Sequence, residues 1–290
     1  MATNKGASQE AIQYHYDVGN DFYQAWLDGG MSYSAAIWPN DRHQPVTLEE
    51  AQNAKLDWHL SSAGAGKGMR LLDVGCGWGS LIHRGLTERG IGSAVGLTLA
   101  DEQAALNRER FAGEAVEIRV SAWQDFTDPQ PFDAIISIGA FEHFAKPDMD
   151  PAEKTACYAE FFRFCASALG NGGRLSLQTI TWMNMAREQE TANLPLHIFP
   201  ESNLPRVAEI VAAAEPSFHT MQMHNRPRDY ALTLREWMKR LRANKGPLED
   251  KYGKELVNRY LQGFASFALG FDHGVLGLTR WSLMKRPSLS

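Results

Sequence analysis

The chain is poor in cysteine: Cys76, Cys157 and Cys165 are the only three in 290 residues. They form no C-x-x-C pair and no metal-ligand spacing, which argues against a disulfide scaffold or a zinc site, and no metal is expected. Nor is there an apolar run near the roughly 20 residues that a bilayer-spanning helix needs. The opening Met1-Ala2-Thr3-Asn4-Lys5-Gly6 leads into no signal-peptide core, so a cytoplasmic location is expected, with peripheral membrane contact left open. Positive charge is also short. Lys and Arg number 29 against 34 Asp and Glu, a formal net charge of −5, which argues against a nucleic-acid partner. Repeats and low-complexity segments are lacking. What remains, with 44% hydrophobic residues, is enough to bury one large core with an inserted cap.

Short apolar runs alternate with helical segments through the middle of the chain. Strands are expected at 69–74, 93–99, 115–121, 132–139 and 173–181, with helices over 79–90, 100–111 and 151–169. That rhythm predicts an α/β fold, a Rossmann-like and mostly parallel sheet with helices on both faces. Ahead of it lies an aromatic-rich helical pattern from Gln9 to Leu27. Thr47-Leu48-Glu49-Glu50 then reads as a capping box starting a helix that runs to about Ser61, so 1–61 is an amino-terminal helical cap. After Trp182 the alternation breaks, and 183–216, with two helical pieces, reads as an inserted lid. A strand at 217–224, helices near 233–243 and 250–270 and a last strand near 275–285 complete a single domain.

The loudest local signal is Leu71-Leu72-Asp73-Val74-Gly75-Cys76-Gly77-Trp78-Gly79, an apolar strand breaking into Gly-x-Gly-x-Gly before a helical run. Glycines at such a bend allow a tight turn and close backbone approach to a ligand. The spacing is not the G-x-G-x-x-G of dinucleotide binders. In a parallel sheet a ligand sits beyond the carboxyl ends of the strands, where this turn lies.

Four further segments accompany the turn: His15 to Tyr23, Met31 to Trp38, Gly96-Leu97-Thr98-Leu99 with Gln103, and Gly139-Ala140-Phe141-Glu142-His143-Phe144. Together they resemble the cyclopropane fatty acid synthase and mycolic acid methyltransferase family of S-adenosylmethionine (SAM) methyltransferases, from about residue 12 to 285. The large amino-terminal extension of the phospholipid-modifying members is missing, so the architecture resembles the mycolic acid branch. The resemblance implies a seven-stranded class I methyltransferase fold and SAM as cofactor. It places Gly75, Gly77 and Gly79 at the methionine part of SAM and Tyr33 and Ser34 at its polar end. Thr98, Leu99 and Gln103 would surround the ribose, Trp123 and Gln124 the adenine, and Ile138 the same wall. Trp123 and Ile138 taken singly read more often as core, and only their positions at strand ends favour the functional reading.

In that family an alkene attacks the methyl group and the resulting carbocation loses a proton, giving a cyclopropane or a methyl branch. Aromatic faces stabilise such a cation, and Tyr16, Phe141 and Tyr230 are the candidates, with core packing as the plain alternative. The family holds a bicarbonate ion as base, and the resemblance assigns it Glu142, Tyr230 and Gly139, with Gln178 at the histidine position and Ala35 at the cysteine position. Neither replacement can titrate, which puts bicarbonate in doubt and makes Glu142 the favoured base. The competing reading of Glu142 is as the cap of a helix beginning near Phe144. His143 reads as a structural hydrogen-bonder.

Trp182, Met183, Met185, Leu194, Leu196, Ile198, Phe199, Leu204 and Val207 offer the lid an apolar lining suited to a hydrophobic substrate. Arg235, Lys239, Arg240, Arg242 and Lys245 could meet an anionic group but read more plainly as a solvated helix face. The leading expectation is a SAM-dependent methyltransferase acting on an unsaturated carbon of a lipid, isoprenoid or polyketide-like substrate. A small-molecule C- or N-methyltransferase of specialised metabolism is the alternative, since plant alkaloid N-methyltransferases share the fold. A non-catalytic SAM-binding protein is a third.

Overall fold

The structure is a computed structural model that describes residues 6, 18–41, 44, 46–190 and 202–287. Its seven strands are β1 (Arg70–Val74), β2 (Ser93–Thr98), β3 (Val116–Val120), β4 (Phe132–Ile138), β5 (Leu169–Trp182), β6 (Phe218–Asn225) and β7 (Leu276–Lys285). They form one sheet in the order β3-β2-β1-β4-β5-β7-β6. β1 to β5 are parallel, and β7 runs antiparallel to both β5 and β6. The order reverses between β1 and β4, and the crevice at that switch point opens beside the glycine turn.

Nine α-helices lie among the described residues: α1 (Asn20–Gln24), α2 (Leu48–Ser62), α3 (Ser80–Arg84), α4 (Asp101–Arg110), α5 (Pro151–Ala168), α6 (Val207–Ala214), α7 (Pro227–Ala243), α8 (Lys245–Tyr252) and α9 (Lys254–Asp272). Side-chain alternation along the strands assigns them to the two faces. Leu71, Ala94, Ile118 and Ile136 pack against Leu56 and Leu60 of α2, Leu81 and Ile82 of α3 and Ala104 of α4. Leu72, Val95, Ile135 and Leu175 point the other way, onto Tyr158, Phe161 and Phe162 of α5 and Ile210 of α6. A third core joins Phe22, Tyr23 and Trp26 to Trp237 of α7 and Tyr260 and Phe264 of α9. The Tyr23 and Tyr260 hydroxyls meet there at 2.9 Å.

The capping box at Thr47 forms as read: Thr47 Oγ1 accepts from the Glu50 amide, and Glu50 accepts from the Thr47 amide at 2.7 Å. Several boundaries differ. The helix expected over 79–90 is α-helical only to Arg84 and widens into a π-turn over Gly85–Arg89. A Cβ on Gly85 would stand 2.8 Å from Ile91, so glycine lets the next segment close onto the widened turn. The helix expected near 233–243 begins earlier, with Pro227 in its first turn, where a missing N–H costs nothing. The helix expected over 250–270 is two, α8 and α9, divided at Gly253 with φ +86°. Within 183–216 the described residues contain a single 3-10 turn, Arg187–Gln189, and α6. Residues 191–201 of the expected lid, and the expected helix from Gln9 to Asp17, lie outside the described residues.

Candidate active site

Two cavities meet at the carboxyl end of the sheet. The first, partly open to solvent, is lined by Tyr33, Ser34, Gly75, Gly77, Thr98, Leu99, Gln103, Trp123, Gln124 and Ile138. Every residue assigned to the cofactor is there except Gly79, which is not among the lining residues. A Cβ on Gly79 would fall 2.5 Å from Asn107 Oδ1 and 2.7 Å from the Phe111 ring, so its glycine serves packing between the turn and α4. Gly75 is pressed from the far side: at φ +83° a Cβ would sit 2.6 Å from that of Ala140. Gly77 has nothing within 4 Å of a hypothetical Cβ, leaving its backbone open to the cavity.

The turn is pinned from below. The amides of Gly75 and Cys76 both donate to the Leu97 carbonyl, at 3.0 and 2.8 Å, and Asn107 Nδ2 donates to the Gly77 carbonyl at 2.7 Å. Thr98 Oγ1 donates to Gln103 Oε1 at 2.8 Å, which fixes the Gln103 amide at the cavity wall. Trp123 serves both readings at once. Its ring packs on Phe144, Phe161 and Phe164 and also lines the cavity.

The second cavity is smaller and more apolar, with Ile180, Leu204, Phe267 and Leu278 on its walls beside Gly139, Glu142, Gln178 and Tyr230. It shares Tyr33, Ser34, Gly139 and His143 with the first. Glu142 lies in a 3-10 turn, Phe141–His143, after β4 and is 7% exposed. Its Oε1 accepts from the Ile180 amide at 2.7 Å, and its Oε2 has no hydrogen-bond partner among the described residues. Burial raises its carboxyl to about 7, against the opposing pull of the Ile180 amide. The helix-cap reading of Glu142 fails, because α5 starts at Pro151 and is capped by Asp150. His143 shares a 2.7 Å hydrogen bond through Nδ1 with Ser202 Oγ, and burial lowers its pKa to about 4, so it stays neutral.

Other expectations fall differently. The Phe141 ring is fully buried, stacked on Tyr158 at 4.5 Å among Phe144, Phe161 and Phe162, and does not line the second cavity. Phe267, missed in the sequence, does, while Tyr230 stacks on Phe271 at 4.9 Å. Tyr16 lies outside the described residues. Of the residues offered as lid lining, Leu204 reaches the second cavity, Trp182 is buried in the third core, and Leu194, Leu196, Ile198 and Phe199 lie outside the described residues. The cationic stretch is paired on the surface: Arg235 with Asp272, Lys239 with Glu236, Arg240 with Glu49 at 2.8 Å and Lys245 with Glu249.

Behind Gln178 lies a buried charge network that no motif announces. Arg280, 1% exposed, donates through Nε to Gln178 Oε1 at 2.6 Å, through Nη1 to Asp229 Oδ2 at 2.9 Å and through Nη2 to the Ala36 carbonyl at 2.8 Å. Gln178 Nε2 points to the Ala35 carbonyl at 3.4 Å, and the Gly139 amide donates to the Gln178 carbonyl at 3.0 Å. The register that sets Gln178 opposite Arg280 is that of the antiparallel β5–β7 pair. A bicarbonate ion does not fit this donor set. Ala35 offers no side-chain donor, the Gly139 N–H and one of the two Gln178 amide hydrogens are engaged, and an ionised Glu142 would repel an anion. Even counting the Tyr230 hydroxyl and the second Gln178 N–H, the donors are fewer than the five assigned positions imply.

Residues 3–281 match the family described as mycolic acid cyclopropane synthetase. A cyclopropane mycolic acid synthase 2 from Mycobacterium leprae is 34% identical over 272 residues, covering 87% of this chain and 86% of that one. The crystal structure of a mycolic acid cyclopropane synthase, CmaA1, complexed with SAH and CTAB superposes with a TM-score of 0.85 at 30% identity, over 97% of this chain and 99% of that one. Coclaurine N-methyltransferase bound to N-methylheliamine and SAH gives 0.78 at 20% identity, over 98% and 84%, a likeness of fold alone. With this match in sequence and architecture, and a cofactor cleft at the switch point, the chain belongs to the mycolic acid cyclopropane synthetase family of SAM-dependent methyltransferases.

Proposed function

We propose that this methyltransferase acts on an unsaturated carbon of a hydrophobic acceptor held in the second cavity, giving a methyl-branched or cyclopropane product through a carbocation. One observation carries the reading: the two cavities share a wall, and the second holds a buried carboxylate oxygen without a partner amid apolar side chains. SAM, when bound, supplies an electrophilic methyl group. The residues assigned to it form a cradle that fits: the open backbone at Gly77, the polar groups of Ser34, Thr98 and Gln103, and the flat face of Trp123.

The chain's own residues then have three tasks. The shared wall of Tyr33, Ser34 and Gly139 sets the line between donor and acceptor, which matters because orientation alone contributes much of the rate. The Tyr230 and Phe267 rings on the second cavity offer π-faces to a cationic intermediate. Glu142 Oε2 takes the proton that the carbocation releases; loss from the transferred methyl closes a cyclopropane, and loss from a neighbouring carbon leaves a methyl branch with a double bond. No step passes through bicarbonate. That a relative's structure holds the lipid-like CTAB supports a long apolar acceptor. No helix of the described residues is long and apolar enough to cross a membrane, so such an acceptor has to be met from an aqueous or interfacial side.

Glu142 Oε2 would equally suit an amine acceptor, taking the proton the nitrogen gives up as the methyl is transferred, which keeps amine methylation as the second reading. Turnover of methyl-labelled SAM against unsaturated fatty acyl lipids, prenyl compounds and amines, with products placed by NMR, decides between them. Label on a former alkene carbon is expected. Label found on nitrogen alone would sink the carbocation reading.

A further inference from the structure

The buried stripe of α2 runs through Leu48, Ala51, Gln52, Lys55, Leu56, His59 and Leu60, and a lysine in such a stripe is out of place. Lys55 is 1% exposed and lines the first cavity. Its Nζ donates to Ser34 Oγ at 3.0 Å, and no carboxylate stands within salt-bridge distance of it among the described residues. An ammonium has three donors, so two are unspent. Taking a cation out of water costs several kcal/mol unless an opposite charge meets it. The nearest carboxylates do not fully meet this one. Asp28 is engaged by the amides of Gly30 and Ser32, at 3.0 and 2.8 Å, and Asp73 is itself raised to about 7 by burial. Burial brings Lys55 down to about 8 despite both of them, with Arg280 adding to the depression.

We propose that Lys55 is the counter-ion of the cofactor's α-carboxylate, reaching it beside Ser34 at the polar end of the first cavity. The inference rests on reading that cavity as the SAM cleft. SAM carries a carboxylate that has to lose its water on entering, and a dry, fixed ammonium repays that loss better than a neutral hydroxyl does. Helix α2 supplies the rigid mount: its capping box and its packing on β1 leave Lys55 little freedom to leave the cleft. Gln52, one turn earlier, donates to the Ser34 carbonyl at 2.9 Å and to the Ser32 carbonyl at 3.2 Å, so the same helix also holds the segment that bears the hydroxyl.

The test compares S-adenosylhomocysteine (SAH) with its decarboxylated analogue, which keeps the amine and the nucleoside, by calorimetry on wild type, Lys55→Met and Lys55→Arg. The expected result is that Lys55→Met weakens SAH about 10- to 100-fold, the value of a charge-assisted hydrogen bond, and leaves the analogue nearly unchanged. Lys55→Arg should keep part of the discrimination. Equal loss for both ligands would reduce Lys55 to a fold residue and overturn the proposal. Should Lys55→Met not fold, wild type still decides. The preference for SAH over the analogue, corrected for the different amine pKa values of the two free ligands, should shrink as pH rises above about 8, because Asp28, Asp73 and Arg280 are common to both complexes. A preference constant up to strongly alkaline pH would rule Lys55 out. Failure of wild type to bind SAH at all would be a different result, against the cofactor reading of the cleft itself.

Discussion

The two cavities share a wall but are built by opposite means. The cofactor cleft is made mainly by strand ends and the turns that follow them, Gly75–Trp78, Leu97–Leu99, Ser121–Gln124 and Ile138–Ala140. Each is a short run of consecutive residues whose backbone does much of the shaping. The acceptor cavity gathers single side chains from far apart: Glu142, Gln178, Leu204, Tyr230, Phe267 and Leu278. Gln178 on its wall is tied into a buried lattice of charge through Arg280 and Asp229. A site made of backbone turns depends on local chemistry and tolerates change elsewhere. A site made of converging side chains depends on every element that delivers one. The sharpest test of this contrast is a change that cripples one cavity and spares the other.

The largest such effect is expected at Glu142. Replacing it by Gln should lower turnover by roughly 100- to 10,000-fold, the range for a lost general base, while SAH affinity by calorimetry stays near wild type. The sign of the accompanying pH dependence follows from the raised carboxyl. Below about 7 Glu142 is protonated and cannot accept, so wild-type turnover at saturating SAM should climb about tenfold per pH unit towards 7 and then level. Asp73 titrates in the same region, and a pH series of SAH binding separates its contribution. An alkene product formed at an undiminished rate by Glu142→Gln would remove Glu142 from the chemistry.

Next in size is the lattice behind the acceptor cavity. Asp229, fully buried, accepts from Arg280, from Arg226 at 2.9 and 3.1 Å and from the Trp38 amide at 3.4 Å. Asp229→Ala leaves Arg280 buried without its carboxylate and should cost about 3–5 kcal/mol in denaturant unfolding. Because Arg280 also holds Gln178 and the Ala36 carbonyl, the surviving folded fraction should lose acceptor turnover while retaining SAH affinity. A loss below about 1 kcal/mol would mean that the charges are solvated and the cavity is not built on them.

That contrast also explains how much could be read before the fold was known. The glycine turn is legible because a strand-to-helix turn carries its own signature, whereas Thr98, Gln103 and Trp123 are placed by the family resemblance; Thr98 ends β2, Gln103 lies in α4 and Trp123 in the turn after β3. Gly79 shows the limit of that signature: its motif position is visible, but the side chains that forbid a Cβ, Asn107 of α4 and Phe111 just beyond it, come from elsewhere in the chain. Phe141 is offered as an aromatic face with core packing as the alternative, and the packing reading prevails: in the 3-10 turn its ring goes to the core while the neighbouring Glu142 lines the cavity. Arg280 reads as an ordinary charged residue until the β5–β7 register sets it opposite Gln178. Lys55 did leave a trace, a lysine in step with the buried face of α2, visible once the capping box had fixed where that helix begins.

On the cofactor side the corresponding perturbation is Gly75→Ala. The left-handed backbone there costs a side-chain-bearing residue about 1–2 kcal/mol, and the new methyl would press on Ala140, which also lines the cleft. SAH affinity should fall about tenfold, the equivalent of that strain, and saturating SAM should restore most of the turnover. If turnover stayed low at saturation with affinity intact, the turn would be shaping the shared wall more than the cofactor, and the division between the cavities would blur.

The smallest expected effect is none. Turnover in carbonate-free buffer and with added bicarbonate should agree within about twofold, since no more than a weak surface-type interaction is open to the ion. The reason is an inventory of donors. The Gln178 nitrogen faces Ala35, its oxygen takes the Arg280 Nε–H, the Gly139 N–H is spent on the Gln178 carbonyl, and Ala35 has only a methyl group. Beyond the Tyr230 hydroxyl and the second Gln178 N–H, any further donor to bicarbonate would require Gly139 or Gln178 to give up a present partner. A strong dependence would therefore show the acceptor cavity to be remade when its ligands enter, and would make it the more plastic of the two.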